Sequence, residues 1–250
     1  MLLGVRNDCI FGTDLVDKGK AIKDLGYDFL ELALRVEEIR SLNLSQIETF
    51  KAAAKEAGLP IKQTSLGHFP MFAAKEVEER KAILEDIRTM IDLTHALGGD
   101  VMLVATKEES EDIQDYVSTY VSELKSVADY AQTKGVVLAL EPVGRVKPSV
   151  IDGLIRAIEH PAVGMYYDMG NCLFGGEDPV GEAKRSADIT RAVHIKGAME
   201  TALSEMPLQE ILEVFIKADF QGAGCLEIGP RDESNKHLED AIKLLRSLGY

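Results

Sequence analysis

Short apolar runs alternate with helical stretches along this 250-residue chain, and glycines mark many of the joins. DLG precedes YDFLEL, EAG precedes LPIKQTSL, ALGG precedes DVMLV, TKG precedes VVLALE and ADFQG precedes AGCLEI. A glycine just past a helix end takes the left-handed conformation that closes the helix without steric cost. Successive runs lie about 30 residues apart, the length of one strand–helix unit. Helical periodicity fills the intervals. From Asp112 to Lys134, Ile113, Tyr116, Val117, Tyr120, Val121, Leu124, Val127, Ala128 and Ala131 recur at i, i+3, i+4 spacing. Ile83, Ile87, Met90, Ile91, Thr94 and Leu97 do the same between Val77 and Leu97. Both stretches are apolar on one stripe and charged on the other, as helices covering a sheet should be.

The pattern predicts eight strands, near Leu2–Val5, Phe29–Leu32, Ile61–Leu66, Asp100–Val104, Val136–Glu141, Val163–Asp168, Arg191–Ile195 and Gly224–Ile228. Eight strands alternating with helices predict a closed (β/α)8 TIM barrel, an α/β fold. No Pro-, Gly- or Ser-rich linker interrupts the chain, so residues 1–250 read as one domain. An open doubly wound sheet would carry a glycine-rich turn after its first strand. Here the first strand runs into RNDCIFGTD, which has no GxGxxG.

Composition changes this picture little. Hydrophobic content of 46% with 28% charged residues is ordinary for a globular protein, and the length allows a core without disulfides. The three cysteines are odd in number and form no CxxC, which argues against a disulfide framework. A net charge of −14 argues against a nucleic-acid partner and reads as a solvated helical exterior. No stretch approaches the roughly 20 apolar residues of a membrane span. MLLGVRNDCIF meets an Arg and an Asp too early for the apolar region of a signal peptide. The expectation is a cytoplasmic protein without membrane contact, and a homo-oligomer is left open.

The strand ends carry the chemistry. Alternation along VVLALEPVGR puts Val137, Ala139 and Glu141 on one face and Val136, Leu138 and Leu140 on the other. Burying the Glu141 carboxylate alone would cost several kcal/mol, so it requires a partner. VGMYYDMGN reaches Asp168, RAVHIKG reaches His194 and GAGCLEIG reaches Glu227, each about one strand–helix unit further on. In a barrel, the C-terminal ends of the strands converge where active sites of this fold sit. Three carboxylates and one imidazole, with no thiolate, suit a single divalent ion. Mn²⁺ or Mg²⁺ is the first choice, with Zn²⁺ or Co²⁺ open.

LALEPVG, YYDMGN, VHIKG and CLEIG, with the LGGD before the fourth strand, resemble the metal-site strands of the xylose isomerase-like barrels, the sugar phosphate isomerase/epimerase superfamily. The resemblance covers nearly the whole chain and is nearest to the branch of D-tagatose/D-psicose 3-epimerases and hydroxypyruvate isomerase. It implies that Glu141, Asp168, His194 and Glu227 bind one divalent metal, and that Glu141 and Glu227 form an acid/base pair on opposite faces of a bound sugar. It implies isomerisation or epimerisation at a carbon next to a carbonyl, through an enediolate. A metal on the sugar's oxygens stabilises that charge, and a carboxylate on each face can remove and return the proton. The alternatives are a lyase that dehydrates an inosose or dehydroshikimate, and a barrel that binds a sugar without turnover. An apurinic-site endonuclease of the same fold needs a histidine-rich multi-metal site, which five histidines and the acidic charge argue against.

Two departures from the epimerase pattern bear on the substrate. Where those enzymes have DxxH, this chain has Asp168-Met169-Gly170-Asn171, and Asn171 can bond a hydroxyl but cannot carry a proton. Lys147 stands near the place of a second glutamate. If Lys147 and Arg231 line the mouth, the substrate carries an acidic group. The other candidate substrate-binding residues are His68 in TSLGHFP, Lys196 on the inward side two residues past His194, which would hold a substrate oxygen or neutralise the ligand carboxylates, Glu31 at the end of the second strand, which would bond a substrate or form an ion pair at the barrel rim, and Arg145 after the fifth. His95, His160 and His237 fall in outer segments and read as structural.

Overall fold

The computed structural model describes residues 1–66, 76–108, 117–144, 146–198, 201–229 and 234–250. Its strands are β1 (Leu2–Arg6), β2 (Phe29–Leu34), β3 (Ile61–Leu66), β4 (Val101–Glu108), β5 (Val137–Gly144), β6 (Val163–Asp168), β7 (Thr190–Ile195) and β8 (Ala223–Leu226). All eight pair in sequence order, and β8 returns to β1 through Leu2↔Ala223 to Val5↔Leu226, closing a parallel barrel. The helices are α1 (Leu15–Asp24), α2 (Val36–Arg40), α3 (Leu44–Ala57), α4 (Val77–Ala96), α5 (Val117–Lys134), α6 (Pro148–Ile158), α7 (Met169–Phe174), α8 (Pro179–Ser186), α9 (Leu208–Lys217) and α10 (Lys236–Ser247). This is the (β/α)8 barrel that the alternating pattern predicts. No helix among the described residues is long and apolar enough to cross a membrane.

Local chemistry sets the boundaries. Asn43 and Gln46 exchange side-chain-to-backbone bonds that open α3, and Gly58, at φ 65°, closes it in the left-handed region. Two strands run further than predicted: β4 and β5 stay paired from Ala105↔Glu141 to Glu108↔Gly144, so Glu141 lies inside its strand. In contrast, β8 stops at Leu226, and Glu227 is the first residue beyond it.

Alternation sorts the residues as expected. Leu103, Ala105, Ala139, Tyr166 and Ala192 cluster on the Glu141 face inside the barrel, with Phe29, Ala223 and Cys225 packed as a second inner group. Leu138, Leu140, Met165, Val193 and Leu226 belong to the larger layer between sheet and helices. The inner packing is tight around β1, where a Cβ on Gly4 would sit 2.3 Å from the buried ring of Phe29. Gly4→Ala is therefore expected to lower stability by about 1–3 kcal/mol, the usual range for overpacking a core. Urea unfolding measures this, and an unchanged midpoint would mean the Phe29 ring can yield freely.

Candidate metal centre

Glu141, Asp168 and His194 come from the neighbouring strands β5, β6 and β7, and Glu227 lies just past β8. Register brings them together: Asp168 pairs with His194, and Glu227 lies two residues past Cys225, the partner of His194. The ligand-competent atoms of the four residues all lie within 4.8 Å of one another. Nδ1 of His194 is 2.8 Å from Glu141 Oε1, 3.2 Å from Glu227 Oε2 and 3.5 Å from Asp168 Oδ2. Donors each about 2.0–2.2 Å from a shared ion lie about 3 to 4.4 Å apart, so these spacings accommodate one cation.

Burial makes the cluster electrostatically tense. Asp168 and His194 are fully buried, and Glu141 nearly so. Burial pushes the Glu141 carboxyl up to about 7; His194 pulls against this, while the charges of Asp168 and Glu227 add to it. Burial would raise Asp168 as well, but Lys196 and His194 outweigh it and hold that carboxyl well below the usual range. In the same way, Glu227, Glu31 and Glu141 overcome burial and raise His194. The Lys196 ammonium sits 2.7 Å from Asp168 Oδ2 and 2.6 Å from Glu227 Oε2.

Asp168 does two things at once. Its Oδ1 accepts the backbone N–H of Asn171 at 2.8 Å, capping α7. Its Oδ2 is buried and accepts no hydrogen bond of good geometry; Lys196 is near but poorly angled. A buried acceptor left in this way, aimed at an imidazole and two more carboxylates, fits a hard divalent cation. Glu31, His194 and Cys225 form a second cluster on the other edge of the imidazole. That cluster is fully buried, and desolvation pushes the Cys225 thiol well up, so no thiolate is ready there. The Nδ1 side, next to open space, is the one suited to a catalytic ion.

Above the four groups opens a cleft of about 550 Å³, whose walls include Arg6, Arg35, Glu141, Asn171, Lys196 and Glu227. A depression of about 450 Å³ at the barrel's opposite end, around Lys62, Asp100 and Arg191, gathers no comparable ligands. Asn171 turns its amide inward, donating to Pro142 O at 3.1 Å and Glu141 Oε1 at 3.4 Å, so it braces the carboxylate as well as lining the cleft. Lys196 lies where its inward phase predicts.

Glu31 does not line the cleft; it forms the ion pair, but below the rim rather than on it. It is fully buried beneath His194 and outside the cleft wall, with Oε1 3.3 Å from His194 Nε2 and Oε2 accepting the Tyr166 hydroxyl at 2.6 Å. Lys147 is also corrected: it is exposed at the start of α6 and lines no part of the cleft. His68, Arg145 and Arg231 fall outside the described residues. His95, His160 and His237 bond Lys134 O, Asp129 and Cys9 O on outer elements.

Two residues of the centre escaped the sequence reading. Arg6 ion-pairs with Glu227 and forks onto both oxygens of Asp8. Tyr166 supports Glu31. Both had a signal, because Arg6 is in phase with inward Gly4, and Tyr166 is two residues before Asp168.

Metal and protons compete for these ligands. Below about pH 7 the Glu141 carboxyl holds a proton that a cation must displace, and the carboxylates around His194 keep its proton on well above the usual histidine range. Affinity for Mn²⁺ should therefore rise from pH 6 to pH 8, with protons released on binding. Calorimetry in buffers of different ionisation enthalpy reads both quantities. A pH-independent affinity with no proton release would contradict this account.

Comparison with known proteins agrees with the geometry. A family model described as a xylose isomerase-like TIM barrel matches residues 20–248. The 3-dehydro-D-guloside 4-epimerase of Escherichia coli (strain K12) is 29% identical over 172 residues, which span 63% of this chain and 62% of that protein, less than two thirds of its length. The D-psicose 3-epimerase of Clostridium cellulolyticum H10, solved with D-tagatose, superposes with a TM-score of 0.84 at 16% identity, covering 99% of both chains. A xylose isomerase-like TIM barrel protein from Mycobacterium smegmatis, solved with magnesium, superposes with a TM-score of 0.76 at 19% identity, covering 99% of this chain and 96% of that one. The two structural likenesses speak for the fold, and the family model spans nearly the whole sequence: the chain belongs to the xylose isomerase-like TIM barrel family.

Proposed function

We propose that the protein is a divalent-metal-dependent sugar epimerase or isomerase that moves a proton at a carbon beside a carbonyl. One observation carries this reading. Glu141 and Glu227 reach the same imidazole nitrogen from β5 and β8, flanking Asp168 and His194, and both line the same cleft. A sugar held between them would present opposite faces of its reacting carbon to two carboxylates. The relatives support the reaction class. One is named for inversion at C4 beside a 3-keto group and the other for inversion at C3 of a 2-ketose, so each inverts a carbon next to a carbonyl.

Glu141, Asp168, His194 and Glu227 would hold the cation. When bound, it supplies Lewis acidity toward the carbonyl oxygen and stabilises the charge of an enediolate. The chain's own residues do the rest. Glu141 is held by its Oε1, which meets His194 and Asn171, and none of its bonds among the described residues uses Oε2. That oxygen is available to take a proton from one face of the carbon. Glu227 is oriented by Arg6 on Oε1 and Lys196 on Oε2, and stands on the other face to deliver a proton. Asn171 and Lys196 reach the cleft as donors for hydroxyl or carbonyl oxygens. Since Asn171 cannot carry a proton, transfer falls on the two glutamates.

The metal-loaded protein, incubated in D₂O with a panel of ketoses and keto-glycosides, should place deuterium on the inverted carbon of its product. Loss of water from the substrate instead would assign the site to a lyase. Glu141→Gln and Glu227→Gln each keep a ligand oxygen but lose the proton carrier, and should lower turnover at least ~100-fold with metal retained. Near wild-type rates in both variants would sink the two-carboxylate mechanism. Asp168→Ala and His194→Ala should each weaken metal binding at least about tenfold, and unchanged occupancy by elemental analysis in both would remove the metal assignment.

A further inference from the structure

The two nitrogens of His194 meet different surroundings. Nδ1 faces the carboxylates of Glu141, Asp168 and Glu227, whereas Nε2 faces Oε1 of Glu31 at 3.3 Å. Neutral imidazole carries one N–H and one lone pair, and the partner of one nitrogen decides which atom holds the proton. When a cation occupies Nδ1, the ring's single N–H is on Nε2, and the Glu31 carboxylate, which can only accept, selects that form and its orientation. The other group at the Nε2 edge, the neutral thiol of Cys225, is a weak donor and acceptor and cannot impose that choice.

Glu31 is itself held on both oxygens. Its Oε2 accepts the Tyr166 hydroxyl at 2.6 Å, and the same hydroxyl lies 2.8 Å from Oε1 of Gln63. A hydroxyl donates only one proton, and the Gln63 Nε2 is buried with no partner. Turning the Gln63 amide over removes the conflict at the hydroxyl, because Gln63 then donates to Tyr166 and Tyr166 donates to Glu31. The chain Gln63, Tyr166, Glu31 and His194 is fully buried, so no bulk water can replace a missing member. The Tyr166 ring lies 4.3 Å from the imidazole, inclined at 48°, and packs against it. Strand pairing slips between Leu30 and Glu31 and again between Met165 and Tyr166, irregularities that re-aim a side chain locally.

We infer that Glu31, backed by Tyr166, is a positioning residue that fixes the tautomer and ring orientation of His194 so that Nδ1 is presented to the cation. The inference rests on the metal-dependent reading above. Partners of this kind, bonded to a metal-ligating histidine, typically contribute 10–100-fold to metal affinity when removed.

Three variants test it with Mn²⁺ as the probe, each first shown to be folded by circular dichroism. Glu31→Leu removes the acceptor and Glu31→Gln removes its charge. Both should raise the Mn²⁺ dissociation constant, by about 10–100-fold for Glu31→Leu and by at least several-fold for Glu31→Gln. Tyr166→Phe keeps the ring and should weaken binding less than Glu31→Leu does. It also carries the test together with Glu31→Gln should Glu31→Leu fail to fold. A purely structural role would lower the melting temperature but leave the Mn²⁺ affinity of the folded protein unchanged. That result, with wild type binding Mn²⁺ normally, overturns the inference alone. Failure of wild type to bind Mn²⁺ overturns the metal-dependent reading, and the inference with it.

Discussion

Four carboxylates, those of Glu31, Glu141, Asp168 and Glu227, surround one imidazole at the mouth of the barrel. Charges removed from water in this way are tolerable only if each is paired and hydrogen-bonded, and removing one partner from such a set typically costs about 3–5 kcal/mol. Much of the local structure answers that requirement. Lys196 spans Asp168 and Glu227, and Arg6 reaches the far oxygen of Glu227 while Asp8 grips its other nitrogens. Lys196 fits only because residue 170 is glycine: a Cβ there would lie 2.7 Å from the lysine Cγ and 2.3 Å from the carbonyl of Gly197. The glycine that opens α7 is thus a demand of the charge balance at the strand ends.

Closure of the barrel turns this demand into a site. Parallel strands deliver their C-terminal ends to one rim, and pairing registers hold Asp168 beside His194 and carry β8 to Glu227 on the far side. Asp168 is spent twice, on the α7 cap and on the cation cluster, so helix and cluster are positioned by the same side chain. Such double use keeps the carboxylate from relaxing outward to water, which it would otherwise favour.

The four strand-end residues were legible in the sequence because period-two alternation needs no register: each carries its inward phase within its own apolar run. Depth inside the barrel is different information. Glu31 shares the inward phase of Phe29, and its place at the end of an apolar run suggested the rim; in the structure it sits one layer down, against Nε2 of His194. Its height depends on how β2 is staggered against β3, and the pairing slips at that residue. Tyr166 sits at a second slip, between β6 and β7. Local deviations of this kind leave no trace in an alternating pattern. Arg6 was missed for another reason: a charged residue at the end of a short strand reads as solvated until its partner, 221 positions away, is known. Lys147 failed in the opposite sense: the resemblance put it near the place of a second glutamate, but it stands exposed at the start of α6.

The cleft divides its labour between two walls. Strands β5 to β8 supply the carboxylates, the imidazole and Lys196, all braced by bonds within the barrel. The opposite wall is built just beyond the ends of β1 and β2, by Asn7, Asp8, Arg35 and Glu38. It is locked differently, because the Asn7 side chain both accepts from Ala33 N at 2.8 Å and donates to Ala33 O at 3.3 Å, extending the β1–β2 ladder beyond Arg6. On the proposed function, proton transfer is confined to the first wall, and the part of the sugar remote from the reacting carbon meets the second. Among the described residues, Arg35 is bonded to Glu38 there and Arg6 to Asp8, while Lys18 also lines the cleft. Such a lining presents donors and acceptors of both kinds, as the hydroxyls of a sugar require.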